Sequence, residues 1–161
     1  MSTMGFILKS RLEYSVEKLL SDIIISVFKA DINLVFGNRT RYREDGSFKA
    51  VEMTISKYPL YKDNSETFNF WIESIEEKHI EYKDTEFDWV EKDKKLHNIA
   101  YIDNVRDYEE LAFKFVYEYL KLNPNDYFWF EDDYAFNFED MERLSKLPFD
   151  SNWCYKNPKN L

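Results

Sequence analysis

Glycine is nearly missing from this chain. Gly5, Gly37 and Gly46 are the only three in 161 residues, too few and too scattered to build either of the glycine-rich loops that cradle a nucleotide's phosphates. No serine stands in a Gly-x-Ser-x-Gly run, so the strained turn that exposes a hydrolase nucleophile has no counterpart. The single cysteine, Cys154, excludes a disulfide within the chain, and with no cluster of partner ligands it does not read as a zinc site. Both histidines, His79 and His97, lie in charged stretches and read as surface residues, because a general base needs an orienting partner and a pocket. Proline is scarce too, at four residues, against 44% hydrophobic and 19% aromatic content, which excludes a disordered or low-complexity chain. No apolar run approaches the ~20 residues of a membrane-spanning helix, and the first residues lack the pattern of an export signal. The expectation is a cytoplasmic protein with no membrane contact.

What is present reads as one domain, 1–161, with an irregular tail from 149 to 161, because no repeat or linker interrupts the pattern. Leu8, Leu12, Val16, Leu19, Leu20, Ile23 and Val27 recur at steps of three and four and predict an amphipathic helix. Its β-branched Ile23-Ile24-Ile25 stretch reads equally as the start of a strand. Ile32, Leu34 and Phe36, then Val51, Met53 and Ile55, alternate on either side of Glu44-Asp45-Gly46-Ser47, a hairpin with Asp45-Gly46 as a type I′ pair. Three further strands are expected: 67–75 with Phe68, Phe70 and Ile72 on one face, 86–91, and 98–103 with Ile99 and Tyr101 alternating. The charged stretch 76–95 around the middle one reads as a mobile loop or protruding hairpin. Asp107 as N-cap with Glu110 as capping-box partner opens a helix whose stripe is Leu111, Phe115, Tyr119 and Leu122. Tyr127 to Phe130 is dense enough in rings for a strand, and a last helix starts near Asn137 with Phe138, Met141 and Leu144 to bury. The fold class is therefore α+β, an antiparallel sheet with two to three helices packed on it. A mixed sheet is the alternative, because 99–103, the capped helix and 127–130 fit one βαβ unit.

Charge narrows the chemistry. The net charge is −9, and residues 103–143 hold twelve acidic against four basic residues, a net −8. Such a field repels nucleic acid and anionic lipid and attracts basic surfaces. It also serves solubility. Glu131-Asp132-Asp133 lacks the alternating pattern of a calcium loop, and Asp88, Glu91 and Lys92 have poor spacing for a metal-dependent nuclease. No catalytic residue, metal or cofactor is assigned. Arg39, Arg41 and Arg43 share one strand face, where cross-strand pairing with Glu52 is favoured over an acidic partner.

One segment stands out. Residues 127–140 hold seven aromatic rings and five carboxylates. A strand buries one face, so some of these rings lie near the surface beside the acids, the composition of an anchor for a basic protein. The candidate partner-binding residues are Tyr127, Trp129, Glu131, Asp132, Asp133, Tyr134, Glu139 and Asp140. The acidic composition and the stretch 107–150, above all Phe128-Trp129-Phe130-Glu131-Asp132-Asp133, resemble the immunity proteins of bacterial polymorphic-toxin and contact-dependent inhibition systems. The resemblance implies a non-catalytic α+β protein that occludes the active site of a cognate basic toxin, often a nuclease. An acidic nucleic-acid mimic and an enzyme with a dispersed carboxylate site are the alternatives.

Overall fold

The computed structural model describes residues 2–59 and 66–161. In chain order the elements are β1 (Gly5–Ser10), α1 (Val16–Lys29), β2 (Asn33–Tyr42), β3 (Phe48–Ser56), β4 (Thr67–Glu73), α2 (Ile80–Lys83), β5 (Leu96–Ile102), α3 (Glu109–Leu122), β6 (Tyr127–Trp129), β7 (Ala135–Phe136) and α4 (Phe138–Ser145), with short 3-10 turns between them. The strands form one sheet in the order β2-β3-β4-β5-β1-β6-β7, and every neighbouring pair is antiparallel. The class is α+β as expected, with one helix more than expected because the four-residue α2 forms within the charged stretch 76–95. β5 and β6 run in the same direction and are joined through α3, but β1 lies antiparallel between them. The βαβ unit of the mixed-sheet alternative is thus split by a third strand, and no parallel ladder forms among the described residues. Among the described residues no helix is long and apolar enough to cross a membrane.

β1 is the main correction to the sequence reading. Gly5–Ser10 is no helix but the strand that β5 and β6 both flank, and Leu12, read into the helical stripe, is 69% exposed. The helix starts where a local signal says it should: the Ser15 hydroxyl accepts from the Lys18 amide at 3.1 Å, an N-cap. It then runs through Ile23-Ile24-Ile25, burying Leu19, Ile23 and Val27. A Cβ at Gly5 would stand 2.8 Å from the Phe130 ring, so glycine permits that close approach.

The hairpin β2–β3 is present, but its turn differs from the expected type. Gly46 has φ +83° whereas Asp45 does not enter the left-handed region, and the Gly46 amide donates to the Arg43 carbonyl at 3.0 Å while the Arg43 amide donates to Ser47 at 2.8 Å. This is a three-residue connection with glycine in the left-handed position. The expected strand at 86–91 is absent; that stretch is a run of turns. α3 begins at Glu109 with Tyr108 as N-cap and no side-chain cap. Asp107 sits at φ +72°, outside the capping geometry, and Glu110 pairs instead with Lys114. Leu111, Phe115 and Tyr119 are buried as expected, but Leu122 is 40% exposed, and Ala112, Val116 and Leu120 complete the buried stripe. α4 has the capping box between Asn137 and Asp140, with bonds of 2.9 and 3.1 Å. Residues 149–161 contain two 3-10 turns and insert Trp153 into the core.

The three long helices share one core on one face of the sheet. Ile55, Met53 and Val51 of β3 stand opposite Phe68, Phe70 and Ile72 of β4, and Phe115 of α3 packs its ring 5.3 Å from Phe70 and 6.4 Å from Phe128. The side chains between them in sequence point the other way, and that second face carries the candidate site.

Candidate functional site

Across the face opposite the three long helices the strand register aligns one residue per strand: Glu52 opposite Trp71, Trp71 opposite Tyr101, Tyr101 opposite Phe6, and Phe6 opposite Trp129. The four rings form a continuous row over β4, β5, β1 and β6. Trp71 and Tyr101 stack at 6.3 Å, Tyr101 and Phe6 lie 5.9 Å apart, and Phe6 and Trp129 lie 5.3 Å apart. At one end the Arg41 guanidinium lies 5.2 Å over Trp71, and Arg39 pairs with Glu52 at 2.8 Å, the cross-strand pairing expected. Arg43 turns away to donate to the Phe48 carbonyl and Ser74. At the other end Phe87 and Trp89, from the stretch after α2, meet Trp129 edge-on at 5.3 and 6.4 Å. Trp89 is 49% exposed.

Residues 76–95 are held in place over this end. Phe87 packs with Leu8 and Leu96 in a second, smaller core. Arg11 donates to both oxygens of Asp84 at 2.7 and 2.9 Å, and His97 Nε2 lies 2.8 Å from the same carboxylate. The Arg11 hydrogen bond holds the Asp84 carboxyl well below the ordinary carboxylate range. His97, read as a surface residue, is 3% exposed: β1 pairing covers it, which no local signal reports. His79 is exposed as expected. The Tyr127 hydroxyl donates to Glu91 at 2.6 Å, adding a tie between this stretch and β6.

The electrostatic setting is acidic. Burial raises the Tyr101 phenol, and Glu73, Asp103 and Glu52 raise it further, against the opposing effect of Arg41. Next to Trp129 the chain turns through Glu131, Asp132 and Asp133, all exposed. The Trp129 indole N–H donates to the Asp132 carbonyl at 2.7 Å, and Glu131, at φ +62°, accepts from the Met4 amide at 3.4 Å. These bonds fix the turn backbone at Asp132 and the Glu131 carboxylate beside the end of the row.

The structure thus brings together Trp129, Glu131, Asp132 and Asp133, with Tyr127 half-buried behind them. Tyr134 is buried behind the same turn: its ring lies 5.8 Å from Phe136, its hydroxyl donates to the Cys154 carbonyl at 3.4 Å, and burial first, then Asp132, raise its phenol. Asp140 is 2% exposed and is engaged in the α4 cap and with Arg143 at 2.6 Å. Glu139 is exposed on the first turn of α4. Cys154 is buried and its thiol is pushed up to about 12, chiefly by burial, so it stays protonated at neutral pH.

Phe6, Trp71, Tyr101 and Trp89 were not singled out in the sequence. Trp71 had a visible signal, since Phe68, Phe70 and Ile72 claim one face of β4 and leave a tryptophan on the other. Tyr101 did not. Ile99 and Tyr101 read as same-face residues, but an irregularity opposite Ile7 and Leu8 turns Ile99 into the helix-side core and Tyr101 onto the free face.

Two other features lie outside this row, a buried polar group and a surface cleft. Lys9 bonds Asp126 at 3.0 and 3.2 Å, and Tyr119 donates to the same carboxylate at 2.7 Å; burial raises the Asp126 carboxyl despite Lys9. A cleft of about 490 Å³ beside α3 and α4 is lined by Phe113, Leu144, Leu147, Phe149, Trp153 and Leu161 among others. Among the described residues no three His, Cys, Asp or Glu side chains are grouped to hold a metal ion. No family model matches the chain, and neither the curated proteins nor the solved structures contain a match to it.

Proposed function

We propose that this protein is a non-catalytic binding protein that neutralises a basic protein partner, as an immunity protein neutralises its cognate toxin, by covering the partner's active surface with the sheet face opposite its three long helices and the 131–133 turn. The observation that carries this reading is the aromatic row ending beside three exposed carboxylates on a chain of net charge −9. Rings of Trp, Tyr and Phe anchor an interface with little loss of side-chain freedom, and surrounding carboxylates raise the rate of capture of a basic surface. A nuclease fits as partner, because the groove that binds its phosphates is basic. Cytoplasmic action accords with a lone, buried thiol.

The test is a partner captured from the source cell, followed by kinetics with variants. Changing Glu131, Asp132 and Asp133 together to Lys lowers the association rate roughly tenfold or more at low salt, and Trp129→Ala acts mainly by speeding dissociation. An acidic partner, or equal association rates for parent and triple variant, removes this reading.

A further inference from the structure

We infer that the aromatic row is a guanidinium track, and that the partner lays arginine side chains of an extended segment onto its Trp129–Trp89 end. The inference rests on the reading that this face meets a basic protein, and it names the chemistry of the contact.

The chain itself shows what the row accepts. Arg41 holds its guanidinium 5.2 Å over the Trp71 ring, so one end already carries a cation. At the far end no cation of the chain lies over Trp129 or Trp89 among the described residues; the nearest such contact is Lys94 over Tyr127 at 5.8 Å, and that ammonium is paired with Glu91 at 3.0 Å. A guanidinium is planar, weakly hydrated and able to stack on a ring while its N–H groups fork onto a carboxylate, whereas an ammonium is compact and strongly hydrated. Trp129 and Trp89 supply the rings. The Glu131 carboxylate, held by the Met4 amide, and the exposed Asp132, whose backbone carbonyl accepts from the Trp129 indole, supply acceptors.

Spacing decides the shape of the ligand. Neighbouring strands lie ~4.8 Å apart, so four strands span ~14 Å, and same-face residues of an extended chain repeat every ~6.7 Å. A segment crossing the strands therefore sets two or three alternate side chains along the row. With Trp71 occupied by Arg41, two remain to be supplied.

The experiment is calorimetric titration of the intact protein with three nine-residue peptides that carry arginine, lysine or neutral citrulline at alternate positions, with serine between. The arginine peptide binds, the lysine peptide binds roughly three- to tenfold more weakly, and the citrulline peptide does not bind in the same range. Trp89→Ala and Trp129→Ala each erase the arginine preference, and Trp89, being half exposed, guards against a folding defect in the other. Arg41→Ala frees Trp71 and widens the preference. Equal affinity for arginine and lysine, a preference that survives both tryptophan variants, or no binding of the arginine peptide overturns the inference. Equal affinities that fall together on reversal of Glu131, Asp132 and Asp133 do so while leaving the basic-partner reading intact; peptides indifferent to that reversal count against the reading itself.

Discussion

The two faces of the sheet use the same kind of residue to opposite ends. Under the helices Phe68, Phe70, Phe115 and Phe128 meet edge to face and are sealed from water. On the free face Trp71, Tyr101, Phe6 and Trp129 also touch, but they remain half-buried, with carboxylates and Arg41 around them. Aromatic content alone therefore says nothing about function. What separates the faces is access to water: on the covered face even Tyr119 and Trp153 are sealed, their polar groups bonded inside the fold to Asp126 and to the Glu109 carbonyl, whereas Trp71, Tyr101, Phe6 and Trp129 stay partly exposed.

The comparison predicts a sharp asymmetry in response to truncation. The largest effect is expected on the covered face: Phe115→Ala costs about 3–5 kcal/mol, read as a fall in the urea midpoint with unchanged slope. A variant as stable as the parent would show that α3 does not seal this face. A smaller effect is expected where residues 76–95 are tied over the free face. Asp84 is held below its ordinary value of 3.8, so its carboxylate stabilises the fold fully above that pH, and the contribution is lost as pH falls towards the folded value. Asp84→Asn should lower the midpoint at pH 7 by less than Phe115→Ala, and parent and variant should converge as the solution is acidified. A gap that stays constant down to strong acid would remove Asp84 as the tie. The smallest effect on stability belongs to the exposed end of the free face: Trp89→Ala and the reversal of Glu131, Asp132 and Asp133 should leave the midpoint nearly unchanged while altering binding. If either unfolds the protein, these groups serve the fold, and the contrast between the faces fails.

Legibility followed the range of the interactions. The Asp45-Gly46 hairpin and the Asn137 helix were readable because turn and cap are made by neighbours in sequence. Phe115 and Tyr119 were readable from helical period. Gly5–Ser10 was not, since its strand character comes from β5 and β6, roughly 90 and 120 residues away, and its Leu8 happened to extend a helical spacing. The candidate site was half legible: Trp129 and the 131–133 carboxylates lie together in one segment, whereas Phe6, Trp71 and Tyr101 come from three separate strands. Tyr134 and Asp140 were misleading for the opposite reason, being local to the acidic-aromatic segment yet turned inward to Cys154 and the α4 cap.

The sequence by itself determined the class of fold and the sign of the charge, because periodicity, turn residues and net charge depend only on order along the chain. Only the tertiary structure decided that β1 lies inside the sheet between β5 and β6, that His97 is covered, and that four rings share one row. Register is a relation between distant strands, and a shift of one residue would move every ring of a strand to the other face.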